Sequence, residues 1–201
     1  MDLCGPMHSV SKYGHLYSMN VIDDYSSYVW SFPLKGKSKA IELLCAWHHA
    51  VENQIGEQLK IFITDNGELV SKMTTTWCKL HGIEHQLTVL YTSTQNGWAE
   101  CLHCTILGKA CVMRLSCNAP ALFWDKFCVT STYLTNFTAS SSLNGKTPYE
   151  LWFGHMPSLS HLHKIGCRAF ALVQTHNLKI LQRSTPCILI SYAPCAKAYC
   201  L

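Results

Sequence analysis

Three acidic residues stand where a divalent-metal site could be assembled: Asp2, Asp65 and Glu100. Asp2 lies in the first short segment, Asp65 at the C-terminal end of an apolar run, and Glu100 in the first turn of a helical stretch. Sheet ends and helix starts bring such groups together in α/β folds. Two Mg²⁺ ions about 3.5–4 Å apart, held by shared carboxylates, activate water and stabilise a leaving oxygen in phosphoryl transfer. Without metal the carboxylates repel one another and one pKa rises. Spacing alone leaves a plainer reading open for each. Asp65-Asn66-Gly67 also reads as a turn, and Glu100 also suits a helix N-terminus electrostatically.

Cysteine and histidine offer a rival chemistry. Cys101-x-x-Cys104, with His103 between, has the spacing of two zinc ligands, but a zinc site needs four. Cys111 lies seven residues beyond Cys104, about 10 Å along a helix and out of reach of the same ion. No second C-x-x-C pair occurs in the sequence, so packing is the better reading of these thiols. Cys45, Cys78 and Cys128 fall on apolar helix faces and read as small core residues. His48-His49 reads as a half-buried helix face, and His81 with His85 as a loop-to-strand pair, rather than as ligands.

The elements that position these groups follow from periodicity. Leu16–Ile22 and Tyr28–Leu34 are β-rich runs either side of a polar turn, a hairpin signature. Ser38 is placed to cap a helix running to about Ile55, with Ile41, Leu44, His48, Val51 and Ile55 on one face. Gly56 stops it. Leu59–Thr64 reads as a strand ending at Asp65, Lys72–Leu80 as a helix, and Ile83–Leu87 as a strand. Val89–Gly97 reads as a polar loop. Helices follow over Trp98–Leu115, with Ala99, Leu102, Ile106, Ala110 and Met113 as the stripe, and over Leu122–Leu134. A short helix over Tyr149–Phe153 precedes strands at Arg168–Val173 and Cys187–Tyr192. The order favours a mixed α/β domain followed by a small β-rich tail.

Composition narrows the class. Of 201 residues 48% are apolar and only 14% charged, against about 25% charged in an ordinary domain. Twelve Cys stand beside three Arg (Arg114, Arg168, Arg183). No apolar run approaches the roughly 18 residues of a membrane span. The N-terminal residues lack the pattern of a signal peptide, which points to an intracellular protein with reduced thiols. A net charge of +4 is compatible with nucleic acid without arguing for it.

The wording of the chain resembles the integrase catalytic domain of Ty1/copia-type LTR retrotransposons. The phrases that carry the resemblance begin with Asp2-Leu3-Cys4-Gly5-Pro6-Met7, Val21-Ile22-Asp23-Asp24-Tyr25-Ser26, Leu34-Lys35-Gly36-Lys37-Ser38 and Thr64-Asp65-Asn66-Gly67-Glu68. They continue with Tyr91 to Glu100, Thr147-Pro148-Tyr149-Glu150-Leu151-Trp152 and His161 to Cys167. The resemblance implies an RNase H-like mixed five-stranded sheet flanked by helices over residues 1–160. It also implies the start of an SH3-like β module over 161–201. Asp2, Asp65 and Glu100 fall on the positions of a D,D,E triad that serves as catalytic group and as ligand set for Mg²⁺ or Mn²⁺. Glu68 and Asn66 would support that site, and Gln95, Asn96 and Lys109 would meet nucleic acid. The implied reactions are DNA 3′-end processing and strand transfer. The implied partners are element ends and target DNA, together with further copies of the chain, and the implied place of action is the nucleus.

The chain also departs from the family. The Asp65–Glu100 interval is one residue short, and the strand carrying Asp2 is expected to be short at its N-terminal side. Relatives read approximately Glu-Arg-Lys-Asn-Arg-Thr-Leu along the helix where this chain reads Glu100-Cys101-Leu102-His103-Cys104-Thr105-Ile106. Positions 104 and 111 lie within roughly 40° of Glu100 around a helix axis, on the side that would face DNA. Arg becomes Cys, His or Trp through single changes in CG-containing codons, as expected of a decaying element copy. The alternative to an active enzyme is therefore a non-catalytic remnant, or a domesticated module that binds nucleic acid or protein.

Overall fold

A three-residue strand opens the chain. In the computed structural model, which describes residues 1–65, 69–88, 93–173, 183–193 and 198–201, β1 (Asp2–Cys4) pairs antiparallel with β2 (Tyr17–Ile22). In turn β2 pairs antiparallel with β3 (Val29–Leu34), the hairpin expected from the two β-rich runs. Because β2 is flanked on both edges, its four central residues Ser18, Met19, Asn20 and Val21 are all buried.

Helix α1 (Ala40–Ile55) buries Ala40, Ile41, Leu44 and His48 at helical spacing. Gly56, at φ +77°, ends it in the left-handed region that favours glycine. Ser38 does not cap the helix as expected. A 3₁₀ turn over Lys37–Lys39 intervenes, and Lys39 precedes α1 without a side-chain cap.

Strand β4 (Ile61–Thr64) is followed by α2 (Lys72–His81), whose N-cap Ser71 accepts a hydrogen bond from the Thr74 amide. Strand β5 (Glu84–Leu87) then runs parallel to β4, with Thr64 opposite Leu87. The expected single five-stranded sheet is instead a three-stranded and a two-stranded sheet. A hydrogen bond of 2.9 Å from the Met1 nitrogen to the Ile63 carbonyl runs between them.

Helix α3 (Ser93–Ser116) begins within the stretch expected to be loop. Its buried residues include His103, Ile106 and Ala110. Leu102, expected in the stripe, is half-buried, so the inward face is turned by about one residue. Residues 1–23 and 29–105 form one compact unit. Its core gathers Met19, Val21 and Leu34 with Leu44, Phe62 and Trp77.

Residues 24–28 and 106–201 form the second unit. Its centre is α4 (Trp124–Asn136), which buries Phe127 and Cys128 with Ala110 and Ile190. The short α5 (Pro148–Phe153) starts with Thr147 as N-cap and Pro148 in its first turn. Tyr28 stacks on Trp152 and meets Phe153 edge-on. Burial there pushes its hydroxyl up to about 12. The β-rich tail comprises two antiparallel pairs, β6 (Arg168–Leu172) with β7 (Ser184–Ile188) and β8 (Ser191–Tyr192) with β9 (Tyr199–Cys200). Gly166, at φ +84°, leads into it, and a Cβ there would stand 2.5 Å from Cys117 Cβ. Only glycine fits that approach.

Candidate active site

Asp2 is the residue around which the first unit's polar groups gather. It sits directly opposite Asn20 in the β1–β2 register, so their side chains share one face of the sheet. Asp2 Oδ1 accepts the Leu3 amide at 2.8 Å, and Oδ2 lies 3.9 Å from His103 Nδ1. Asn20 Nδ2 is 2.9 Å from that same ring nitrogen. With the amide nitrogen as donor, His103 Nδ1 is an acceptor and carries no proton. Burial pushes the His103 pKa down while Asp2 pulls it up. The ring is 5% exposed, and desolvation is the larger effect.

Asp65 follows directly on β4, whose Ile63 carbonyl accepts the Met1 nitrogen. Burial lowers the pKa of the Met1 amino group, and both Asp2 and Asp65 raise it. The two carboxylates therefore act on one point between β1 and β4. The backbone at Asp65 is held from β5. The buried Thr64 hydroxyl donates to the Asp65 carbonyl at 3.1 Å, and His85 Nε2 lies 2.8 Å from the same hydroxyl oxygen.

Glu100 is exposed on α3, three residues before His103. Residues three apart on a helix share a face, so the His103 contact brings the Glu100 side of α3 to Asp2. The structure thus places Asp2 and Asp65 on neighbouring strands and the helix of Glu100 beside Asp2, but among the described residues the three carboxylates do not come within 4.8 Å of one another as a group. Asn66 and Glu68 lie outside the described residues, as do the side chains of Gln95 and Asn96. Lys109 is exposed, its Nζ donating to Thr135 Oγ1 at 3.0 Å. Cys101, Cys104 and Cys111 are all exposed.

The pairing of Asn20 with His103 and of Thr64 with His85 escaped the sequence reading. The signal for Asn20 was a polar residue at the middle of an otherwise apolar strand. For His103 it was a position between Leu102 and Ile106 on a helix face. Among the described residues the structure also brings together His48, His49 and His81, which spacing had assigned to separate surfaces. One ring nitrogen from each lies within 4.8 Å of the others.

The profile of the integrase core domain matches residues 1–93. Those residues belong to the integrase core domain family. Over 193 residues the chain is 37% identical to the retrovirus-related Pol polyprotein from transposon TNT 1-94 of Nicotiana tabacum. That match covers 95% of this chain and 14% of the polyprotein. It is 26% identical over 193 residues to the corresponding polyprotein from transposon RE1 of Arabidopsis thaliana, covering 94% of this chain and 13% of the relative. The chain therefore spans about one-seventh of the length of these relatives. Among solved structures, a chain of the simian T-cell lymphotropic virus intasome in complex with PP2A regulatory subunit B56 gamma is similar, with a TM-score of 0.58. The match has 19% identity and covers 94% of this chain and 66% of that one. At that identity the likeness establishes the fold, the mixed α/β architecture of a retroviral integrase.

Proposed function

We propose that the chain is the catalytic core of a retrotransposon integrase, a polynucleotidyl transferase acting on DNA. Its reactions would be trimming of a DNA 3′ end and joining of the freed hydroxyl to a target phosphodiester. The observation that carries this reading is the approach of β4 and α3 to Asp2, through the Met1–Ile63 hydrogen bond and the Asp2–His103 contact.

Asp2, Asp65 and Glu100 would hold Mg²⁺ or Mn²⁺. Carboxylate oxygens are the donors these hard ions prefer. Bound there, the ions would supply the positive charge that activates an attacking hydroxyl and offsets charge on the leaving oxygen. Asn20 and His103 would form the wall beside Asp2, while Thr64, in contact with His85, holds the backbone of Asp65. Glu68 and Asn66 would support the site, and Gln95, Asn96 and Lys109 would meet the DNA backbone. Residues 1–160 would form the core and 161–201 the start of an SH3-like module. The partners would be element ends, target DNA and further copies of the chain, with the nucleus as the place of action.

One observation favours a non-catalytic remnant. Cys101, Cys104 and Cys111 are exposed on α3, where relatives carry basic residues that hold phosphates. Trimming of a 5′-labelled duplex in Mn²⁺ separates the two readings. Shortened product from the native chain but not from Asp65→Asn supports the enzyme, and equal yield from both supports the remnant.

A further inference from the structure

We propose that His48, His49 and His81 form a second metal site, selective for a borderline transition-metal ion such as Zn²⁺ or Co²⁺ and distinct from the carboxylate site. His48 and His49 project from α1, and His81 is the last residue of α2. Ring centroids are separated by 5.4 Å between His48 and His49, 4.9 Å between His48 and His81, and 5.2 Å between His49 and His81. The rings are tilted or edge-on to one another rather than stacked. One nitrogen from each falls within 4.8 Å of the other two. Around a tetrahedral ion with bonds of about 2.0–2.1 Å these nitrogens would be about 3.3 Å apart. Small rotations of the two exposed rings cover the difference.

The second observation is His48 itself. It is 1% exposed, and its Nδ1 has no hydrogen-bond partner among the described residues. Its Nε2 stands 2.9 Å from Glu52 Oε1, a contact through which Glu52 acts against the burial of the ring. A buried polar nitrogen left without a partner costs free energy that a ligand recovers. The Glu52 carboxylate is fixed by the Leu59 amide at 2.9 Å. It supplies the anion that commonly accompanies a metal-binding histidine. His49 and His81 are exposed, so an ion enters from solvent and a fourth position stays open to water.

Imidazole nitrogens select Zn²⁺, Co²⁺, Ni²⁺ or Cu²⁺ over Mg²⁺, which separates this site chemically from the three carboxylates. An ion bound here clips α1 to α2 and stabilises the folded unit by mass action.

The test is titration of the chelator-treated full chain with Co²⁺, followed by absorption and by thermal unfolding, for the native protein, His49→Ala, His81→Ala and Asp65→Asn. With Mg²⁺ in large excess throughout to occupy the carboxylates, the account expects one Co²⁺ bound without a thiolate charge-transfer band and a rise in Tm on loading. It expects affinity reduced at least about tenfold in each histidine variant and unchanged in Asp65→Asn. His49 and His81 are exposed, and an unchanged metal-free Tm shows that their variants fold. Absence of binding overturns the proposal, as does equal affinity in the histidine variants. So does a thiolate band, which would place the ion on cysteine, or loss of binding in Asp65→Asn, which would place it on the carboxylates.

Discussion

His103 Nδ1 lies 3.9 Å from Asp2 Oδ2 and 2.9 Å from Asn20 Nδ2, joining the helix of Glu100 to the strand of Asp2. A buried histidine thus ties α3 to β2 through Asn20, next to Asp2. Its replacement by leucine, similar in bulk and apolar, would leave Asn20 buried with neither amide atom paired, since Oδ1 already has no hydrogen-bond partner among the described residues. His103→Leu is expected to cost about 1–3 kcal/mol. The double variant Asn20→Leu/His103→Leu recovers part of that loss, measured by urea unfolding. Additive losses would show that the pair is not coupled.

How much of this was legible beforehand depended on range along the chain. The β2–β3 hairpin, α1 and α2 are governed by local alternation, helical spacing and caps such as Ser71 and Gly56, and they fall where periodicity put them. The start of α3 at Ser93 was hidden by polar residues that read as loop. The inward turn of His103 was hidden because a helix stripe is read from apolar side chains, whereas this position is buried by a partner on β2. The grouping of His48 with His81 depends on how α1 packs against α2, which no local pattern encodes. Asp2, Asp65 and Glu100 were singled out by the wording of short phrases, while the contacts of Asn20 with His103 and of Thr64 with His85 join residues far apart in the chain and left no local signal.

Acid should destabilise the protein through its buried histidines. In the unfolded chain His85 takes up a proton near its ordinary 6.5, whereas burial holds the folded ring neutral to lower pH. Burial acts in the same direction on His48 and His103. The unfolded state therefore binds more protons as pH falls through 6.5, and stability drops across that window. Tm measured in chelator between about pH 7.5 and 5.5 is expected to fall with acid. His85→Gln, which can still bond Thr64, should flatten the curve. A Tm that rises on acidification would contradict this.

Restoring basic residues on α3 should restore DNA affinity. Cys101→Arg and Cys104→Arg change exposed positions and leave the buried face of the helix untouched. Each new phosphate contact is expected to tighten binding to a short duplex and steepen the dependence of log K on log salt by about one. Fluorescence anisotropy between about 50 and 200 mM salt reads both quantities. Unchanged affinity and slope would mean that this side of α3 does not meet DNA.

The most direct measure of the central claim is strand transfer of a pre-trimmed duplex into target DNA with Mg²⁺ or Mn²⁺. It is run with the native chain beside Asp2→Asn, Asp65→Asn and Glu100→Gln. Joined product from the native chain, lost in all three variants and in chelator, is the predicted result. Joining that persists in any one of the three, or its absence from the native chain under every metal, would contradict the assignment of these carboxylates as a working catalytic site.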